Sequence, residues 1–252
     1  MIPLFGRLIA AFRFLTILPL PGTWGTGEEE LAGSTPFFPL VGLCIGLFVA
    51  PVVWLLGLFL PSQVVAVAAV FLLLALSGGL HLDGLADTAD GFFSSRPREQ
   101  MLEIMRDSAT GAMGVIALVL LLGLKMACLS SLSAHVLSVV FLMPLAGRTA
   151  IVLMMALLPY ARKQGGLASL FYTRRSRTVA LGALCFFIII CWLVARGTGL
   201  LAAGGVVLVV VLFSWFCRSR INGATGDTLG AVCELSEATV ALVCTAMYTV
   251  QP

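Results

Sequence analysis

The sequence predicts an all-α fold: a polytopic transmembrane helical bundle of about seven spans plus an N-terminal helix, forming a single integral membrane domain over residues 1–252. Three observations predict it. Hydrophobic residues make up 60% of the chain and charged residues only 11%, against about 25% charged in an average soluble domain, so lipid has to serve as solvent for much of the surface. The apolar residues fall into runs close to the length of about 20 residues that a helix needs to cross about 30 Å of hydrocarbon. The connections between the runs alternate between charge-rich and charge-poor, as expected of a chain that weaves between two faces.

At the N-terminus, Arg7 and Arg13 accompany an apolar run over 8–20 that closes on Pro19 and Pro21. Arg13 interrupts the run and no A-x-A-like cleavage site follows, so it reads as a short interfacial or re-entrant helix, not a signal peptide. Seven stretches then qualify or nearly qualify as spans: 37–60, 64–80, 112–132, 136–159, 179–195, 199–217 and 229–250. The second and fifth are short, as suits tilted spans or spans shielded by neighbours. No internal repeat is visible, which gives an inverted-repeat transporter no direct support.

Orientation follows from the basic residues. With the residues before the first span on the cytoplasmic side, twelve of the fifteen Lys and Arg fall on that side: Arg7, Arg13, Arg96, Arg98, Arg106, Arg162, Lys163, Arg174, Arg175, Arg177, Arg218 and Arg220. Arg196 alone lies in an opposite-side loop, and Lys125 and Arg148 lie within spans. The acids divide in the same way, which favours chemistry on one face over a path across the membrane. The formal net charge of +3 gives no reason to expect a nucleic-acid partner. None of the seven cysteines forms a C-x-x-C pair and only two histidines exist, so a zinc or iron–sulfur site lacks ligands; the cysteines read as small buried hydrophobes.

The polar chemistry centres on a cytoplasmic acidic segment over 82–109. Asp83, Asp87 and Asp90 have i, i+4, i+7 spacing and share one helical face. Carboxylates stacked this closely at a low-dielectric interface repel strongly, and a divalent cation removes the repulsion. A hard, all-oxygen site suits Mg²⁺, which binds through a few carboxylates, waters and substrate phosphates. The plain alternative is a solvated acidic helix end. His81 beside the cluster is either a general base, given its ordinary titration range, or a donor that orients Asp83. Ser94, Ser95 and Pro97 look like a helix start. Met101, Leu102, Ile104 and Met105 would form the apolar side of that surface helix, and Glu99, Glu103 and Asp107 recur on another face. Glu103 and Asp107 are either further metal ligands or partners for Arg98 and Arg106.

Two further elements complete the pattern. Thr225, Gly226 and Asp227 open the last span, where free backbone N–H groups at a helix N-terminus offer a phosphate seat; helix capping is the alternative. Glu234 and Glu237 lie two to three turns into that span, where an unpaired charge costs about 2.5–3.5 kcal/mol. They are expected to face the bundle interior, with Lys125 or Arg148 as partners or with substrate. Arg106, Arg148, Arg162 and Arg174 are the basic residues placed to grip a diphosphate.

Together these motifs resemble the cobalamin synthase family, adenosylcobinamide-GDP ribazoletransferases. The resemblance is carried by G-G-L-H-L-D-G-L-A-D-T-A-D-G at 78–91, L-E-I-M-R-D-S-A-T-G-A-M-G at 102–114 and T-G-D-T-L-G-A-V-C-E-L-S-E at 225–237, supported by R-F-L-T-I-L-P-L-P at 13–21, F-P-L-V-G at 38–42 and G-R-T-A at 147–150. It implies a Mg²⁺-dependent enzyme of the inner membrane. In that reaction adenosylcobinamide-GDP condenses with α-ribazole, or its 5′-phosphate, and GMP leaves. The residues expected to be catalytic are His81, Asp83, Asp87, Asp90 and Asp227, and those expected to bind the metal are Asp83, Asp87, Asp90 and Asp107. The chemistry is similar to that of CDP-alcohol phosphatidyltransferases, whose D-x-x-D-G start fits 87–91. Ser94 and Ser95 then depart from that family's pattern, and its later aspartates are missing. A cation or solute transporter using the same acids is the competing reading. A scaffold recruiting soluble pathway enzymes would explain the basic loops but not the aspartate spacing.

Overall fold

The computed structural model describes residues 4–132, 134–162, 166–172 and 176–250. They form ten α-helices and two short 3₁₀ turns, and the described residues contain no strand beyond an isolated bridge between Tyr160 and Ala224. The helices are α1 (Leu4–Leu15), α2 (Glu28–Ala32), α3 (Phe38–Gly57), α4 (Ser62–Ser77), α5 (Leu80–Phe93), α6 (Arg98–Ile104), α7 (Ala112–Ser130), α8 (Val136–Leu157), α9 (Ser176–Ile221) and α10 (Gly226–Val250). The all-α expectation is met. Five helices are long and apolar enough to cross a membrane, or six if α4 and α5 are one broken span.

The longest, α9, is two arms. Arg196 has φ 48° and ψ −128°, outside the helical region. Beyond it, a side chain on Gly199 would strike the Cys191 carbonyl, eight residues back. An unbroken helix keeps residues eight apart about 12 Å from each other, so the chain folds back on itself at Arg196. The second arm then runs antiparallel to α10, with Gly205 against Thr239 and Val243.

The core is centred on α8, most of whose side chains are buried against α3, α9 and α10. Close approach comes from small residues, because helices in lipid associate by packing without a hydrophobic driving force. Gly42 and Gly46 of α3, in G-x-x-x-G spacing, lie against the backbone of Pro144, Leu145 and Phe141. Large apolar side chains such as Leu55, Phe71, Leu120, Leu212 and Trp215 face outward, as lipid contact requires.

The connections that carry the polar residues converge at one end of the bundle. Gly78 (φ 62°) and Gly79 (φ 76°) close α4 in left-handed conformations. The Gly79 N–H donates to the Leu74 carbonyl and the Gly78 N–H to that of Ala75, the paired bonds of a Schellman end. This turn bends α5 by 92° from α4 and lays it across the N-terminal parts of α7 and α10. Gly84 of α5 meets the backbone of Asp227, and Gly230 of α10 meets that of His81. Two glycines thus let α5 rest directly on the first turns of α10.

The surface helix expected after Pro97 is α6, with Met101 and Met105 buried as its apolar side. It ends at Ile104, so Asp107 lies in the following turn and does not continue the face of Glu99 and Glu103. Arg98 does not pair with Glu103 or Asp107. It bonds the carbonyls of Ile221 (2.9 Å) and Ala161 (2.7 Å), and makes an exposed 3.4 Å ion pair with Glu99. At the N-terminus, α1 buries Gly6, Ala10, Ala11 and Leu15 and exposes Leu4 and Phe5, as suits a helix at an interface.

Candidate active site

The site is assembled from α5, the start of α10 and the chain following α8. Asp83, Asp87 and Asp90 share the expected face of α5: Asp83 is exposed, Asp87 and Asp90 half-buried. Asp227 joins them because α5 rests on α10. Arg162 reaches the same point through a backbone clasp, in which the Ala224 N–H donates to Pro159 (2.9 Å) and the Ala161 N–H to Ala224 (2.8 Å). One residue beyond this clasp, Arg162 Nη2 bonds Asp227 Oδ2 at 2.7 Å.

Charge is concentrated here. The Asp87 carboxyl is pushed up to about 7, first by burial and then by the negative charges of Asp83, Asp227 and Asp90, with Arg162 opposing. Four carboxylates facing one guanidinium leave an excess of negative charge that a cation can neutralise. The donors are all oxygen, which suits Mg²⁺. Among the described residues no three His, Cys, Asp or Glu side chains enclose a point that could hold a metal ion.

Asp90 has a second task. Its two oxygens accept the N–H groups of Gly111 (2.6 Å) and Gly114 (2.8 Å), so it holds the start of α7, where a carboxylate also meets the positive end of the helix dipole. Asp107 accepts the Ala109 N–H in its exposed turn and is not among the charges acting on Asp87. Arg106 is exposed beside it. Thr225 caps α10: its hydroxyl accepts the Thr228 N–H (3.2 Å), and the Thr228 hydroxyl accepts the Thr225 N–H (2.8 Å). This reciprocal pair is a capping box in form. Gly226 lines the cavity described below. Arg174, with Lys163 and Arg175, lies outside the described residues.

Glu234 and Glu237 pair with both cations anticipated for them. Lys125 Nζ lies 2.7 Å from Glu234 and 2.8 Å from Glu237, and Arg148 Nη1 lies 2.5 Å from Glu237. All four are buried, so two cations and two anions cancel inside the bundle. None of the four lines the cavity beside the aspartates. His81 bridges the two regions, being buried, lining the cavity and holding Nδ1 3.5 Å from Arg148 Nη2. A guanidinium only donates, so a hydrogen bond across this contact would have Nδ1 as its acceptor. Nε2 is buried and has no hydrogen-bond partner among the described residues.

The cavity, about 240 Å³, opens beside Asp83, Asp227 and Arg162. Its other wall was not anticipated. Phe14, Phe38 and Phe171 meet there with ring centroids 4.8–5.9 Å apart, joined by Leu80, Ile151, Leu167 and Tyr160. The three rings come from α1, α3 and the 3₁₀ turn Leu167–Phe171, and the hint in the sequence is that aromatic residues fall at the ends of these segments.

Comparison with known proteins gives the family. The family described as cobalamin-5-phosphate synthase matches residues 7–245. The chain belongs to the cobalamin-5-phosphate synthase family. Curated relatives named adenosylcobinamide-GDP ribazoletransferase include those of Roseiflexus sp. (41% identical, covering 92% of this chain and 87% of the relative), Desulforamulus reducens (40%; 93% and 94%) and Syntrophobacter fumaroxidans (39%; 94% and 97%). No solved structure matches the chain. The match to the cobalamin-5-phosphate synthase family takes in every element that builds the site, from α1 to α10.

Proposed function

We propose that this chain transfers the cobinamide-bearing phosphoryl group of adenosylcobinamide-GDP to a ribose hydroxyl of α-ribazole, or of its 5′-phosphate, giving adenosylcobalamin or its 5′-phosphate and GMP. The observation that carries the reading is the meeting of Asp83, Asp227 and Arg162 on one cavity, with the charge of Asp87 acting on the same cluster, in a chain of the cobalamin-5-phosphate synthase family.

In the reaction the ribose oxygen bonds to the cobinamide-side phosphorus, the bridging P–O bond breaks and GMP departs with the bridging oxygen. A carboxylate of the aspartate face takes the hydroxyl proton. The barrier is largely one of charge on phosphate oxygens and of positioning. Arg162 supplies a fixed guanidinium at that charge, and Asp227 holds it in place. Asp83 and Asp87 would hold Mg²⁺ together with waters and substrate phosphates, and the ion would supply charge neutralisation at the diphosphate. Asp90 keeps α7 against this face.

The aspartate face is read as cytoplasmic in a multi-pass protein of the inner membrane, because the basic residues gather at the same end; counting both arms of α9, and α4 with α5 as one further crossing, gives seven. Lipid is then its immediate surrounding, and soluble enzymes that supply its substrates would reach it from the cytoplasm. A transporter is not supported: the buried Lys125, Arg148, Glu234 and Glu237 satisfy one another across α7, α8 and α10 and close the bundle. The test is GMP release by purified, liposome-reconstituted protein given both substrates and Mg²⁺. Absence of GMP under these conditions would overturn the reading.

A further inference from the structure

We propose that Arg98 is a positioning residue of the site: by bridging two backbone carbonyls it fixes the peptide from which Arg162 reaches the diphosphate, and it acts on the reaction through Arg162. This rests on the function proposed above and adds to it a residue that does not touch substrate.

Arg98 opens α6 and is not among the residues that line the cavity. Each nitrogen of its guanidinium is engaged. Nε donates to the Ile221 carbonyl (2.9 Å), Nη2 donates to the Ala161 carbonyl (2.7 Å), and Nη1 lies 3.4 Å from Glu99. The Glu99 contact is exposed, and exposed pairs contribute little. The two carbonyl bonds are partly buried and charge-assisted, a class roughly twice as strong as bonds between neutral groups.

Ile221 is the last residue of α9, and Asn222 leaves the helix in a left-handed conformation (φ 56°). Carbonyls at a helix end lack intrahelical partners, and a cation there also meets the negative end of the dipole. Ala161 stands on the other side of the clasp. Its N–H donates to Ala224 (2.8 Å), and its carbonyl belongs to the same planar peptide unit as the Arg162 nitrogen. Arg162 is therefore held at its backbone by Arg98 and at its tip by Asp227 (2.7 Å). The two sides of the clasp are in backbone contact: a Cβ on Gly223 would stand 2.5 Å from the Pro159 carbonyl oxygen and 3.1 Å from the Ala161 Cα. On its other side α6 rests on the end of α5, where Gly91 meets Met105 and the Met101 carbonyl. Arg98 thus ties the helix that carries the aspartates to the arginine that opposes them.

The test is a double-mutant cycle on GMP release by the intact, reconstituted protein. Misplacement of about 1 Å in a positioned site costs on the order of 10² in rate, so Arg98→Ala should lower kcat/KM for adenosylcobinamide-GDP about tenfold or more. KM for ribazole should stay within about twofold. In an Arg162→Ala background the same change should cost less than about twofold, because no guanidinium remains to be positioned. Arg98→Lys keeps the charge but is a point donor without the fork, and should behave as the alanine variant does. A loss of folded molecules would multiply in both backgrounds, so an equal cost with and without Arg162 would overturn the proposal. Wild-type kinetics in Arg98→Ala or Arg98→Lys would overturn it too. Should Arg98→Ala fail to insert, Arg98→Gln, which keeps one donor amide, goes through the same cycle under the same criteria. Each of these outcomes requires a wild-type protein that releases GMP, and absence of that release overturns the functional reading instead.

Discussion

A single methyl group placed between α5 and α10 should disable the site without unfolding the protein. A Cβ on Gly84 would lie 2.7 Å from the Asp227 carbonyl oxygen and 3.0 Å from its Cα, whereas ordinary contact begins at 3.4 Å. Both obstacles are backbone, so neither can rotate away. The helices would have to part by 3.4 − 2.7 = 0.7 Å along that contact, and Asp83 and Asp87 would move away from Asp227 and Arg162 by a similar amount. Misplacement of about 1 Å in a positioned site costs on the order of 10² in rate, so Gly84→Ala should lower kcat between ten- and a hundredfold. Overpacking of this kind costs about 1–3 kcal/mol, which a folded bundle should survive. The assay is GMP release in liposomes, with a thermal melt in detergent to show that the fold persists. Gly182→Ala, where nothing lies within 4 Å, is the control. Wild-type turnover in Gly84→Ala would refute the claim that the glycine contact assembles the site.

Other perturbations separate the roles. Glu237→Ala removes the partner shared by Lys125 and Arg148; breaking a buried pair costs about 3–5 kcal/mol, so the melting temperature should fall sharply, and an unchanged melt would contradict the network. Asp107→Asn should leave GMP release within about threefold of wild type, since Asp107 sits apart from the aspartate face, and a loss approaching the 10² scale of a major electrostatic stabiliser would return it to the metal site. Chelation with EDTA should abolish GMP release and added Mg²⁺ restore it; persistence of full activity without divalent ions would remove the metal from the account. Cysteine labelling at Ser95 and at Ser219 should report the cytoplasmic face for both, and opposite faces would break the single-faced site.

Much of the site was legible because helical spacing is strict. Positions 83, 87 and 90 face one way on any α-helix, and Glu234 and Glu237, deep in an apolar span, required partners that only Lys125 and Arg148 could supply. What could not be read was set by contacts between distant segments. The meeting of Arg162 with Asp227 depends on a two-bond clasp between residues 159–161 and 224, which leaves no periodic trace. Asp90 looked equivalent to its neighbours until α7 brought the Gly111 and Gly114 N–H groups to it. Asp107 was aligned with Glu99 and Glu103 by spacing alone, but the helix stops first. The aromatic wall was hidden because Phe14, Phe38 and Phe171 lie in three segments, and each is unexceptional in an apolar chain. Hydropathy suggested the break in α9, since Arg196 interrupts a run too long for one span, but the close packing at Gly199 had no local signature.

The central claim is that α5 and the start of α10 close around one diphosphate and act as a unit. A double-mutant cycle on GMP release, with Asp87→Asn, Asp227→Asn and the pair, tests it most directly. Residues acting as one catalytic unit are strongly non-additive, so the double variant should be little slower than the worse single variant, each being down by about 10² or more. Defects that multiply would contradict the account and leave Asp227 as an anchor for Arg162 outside the chemistry.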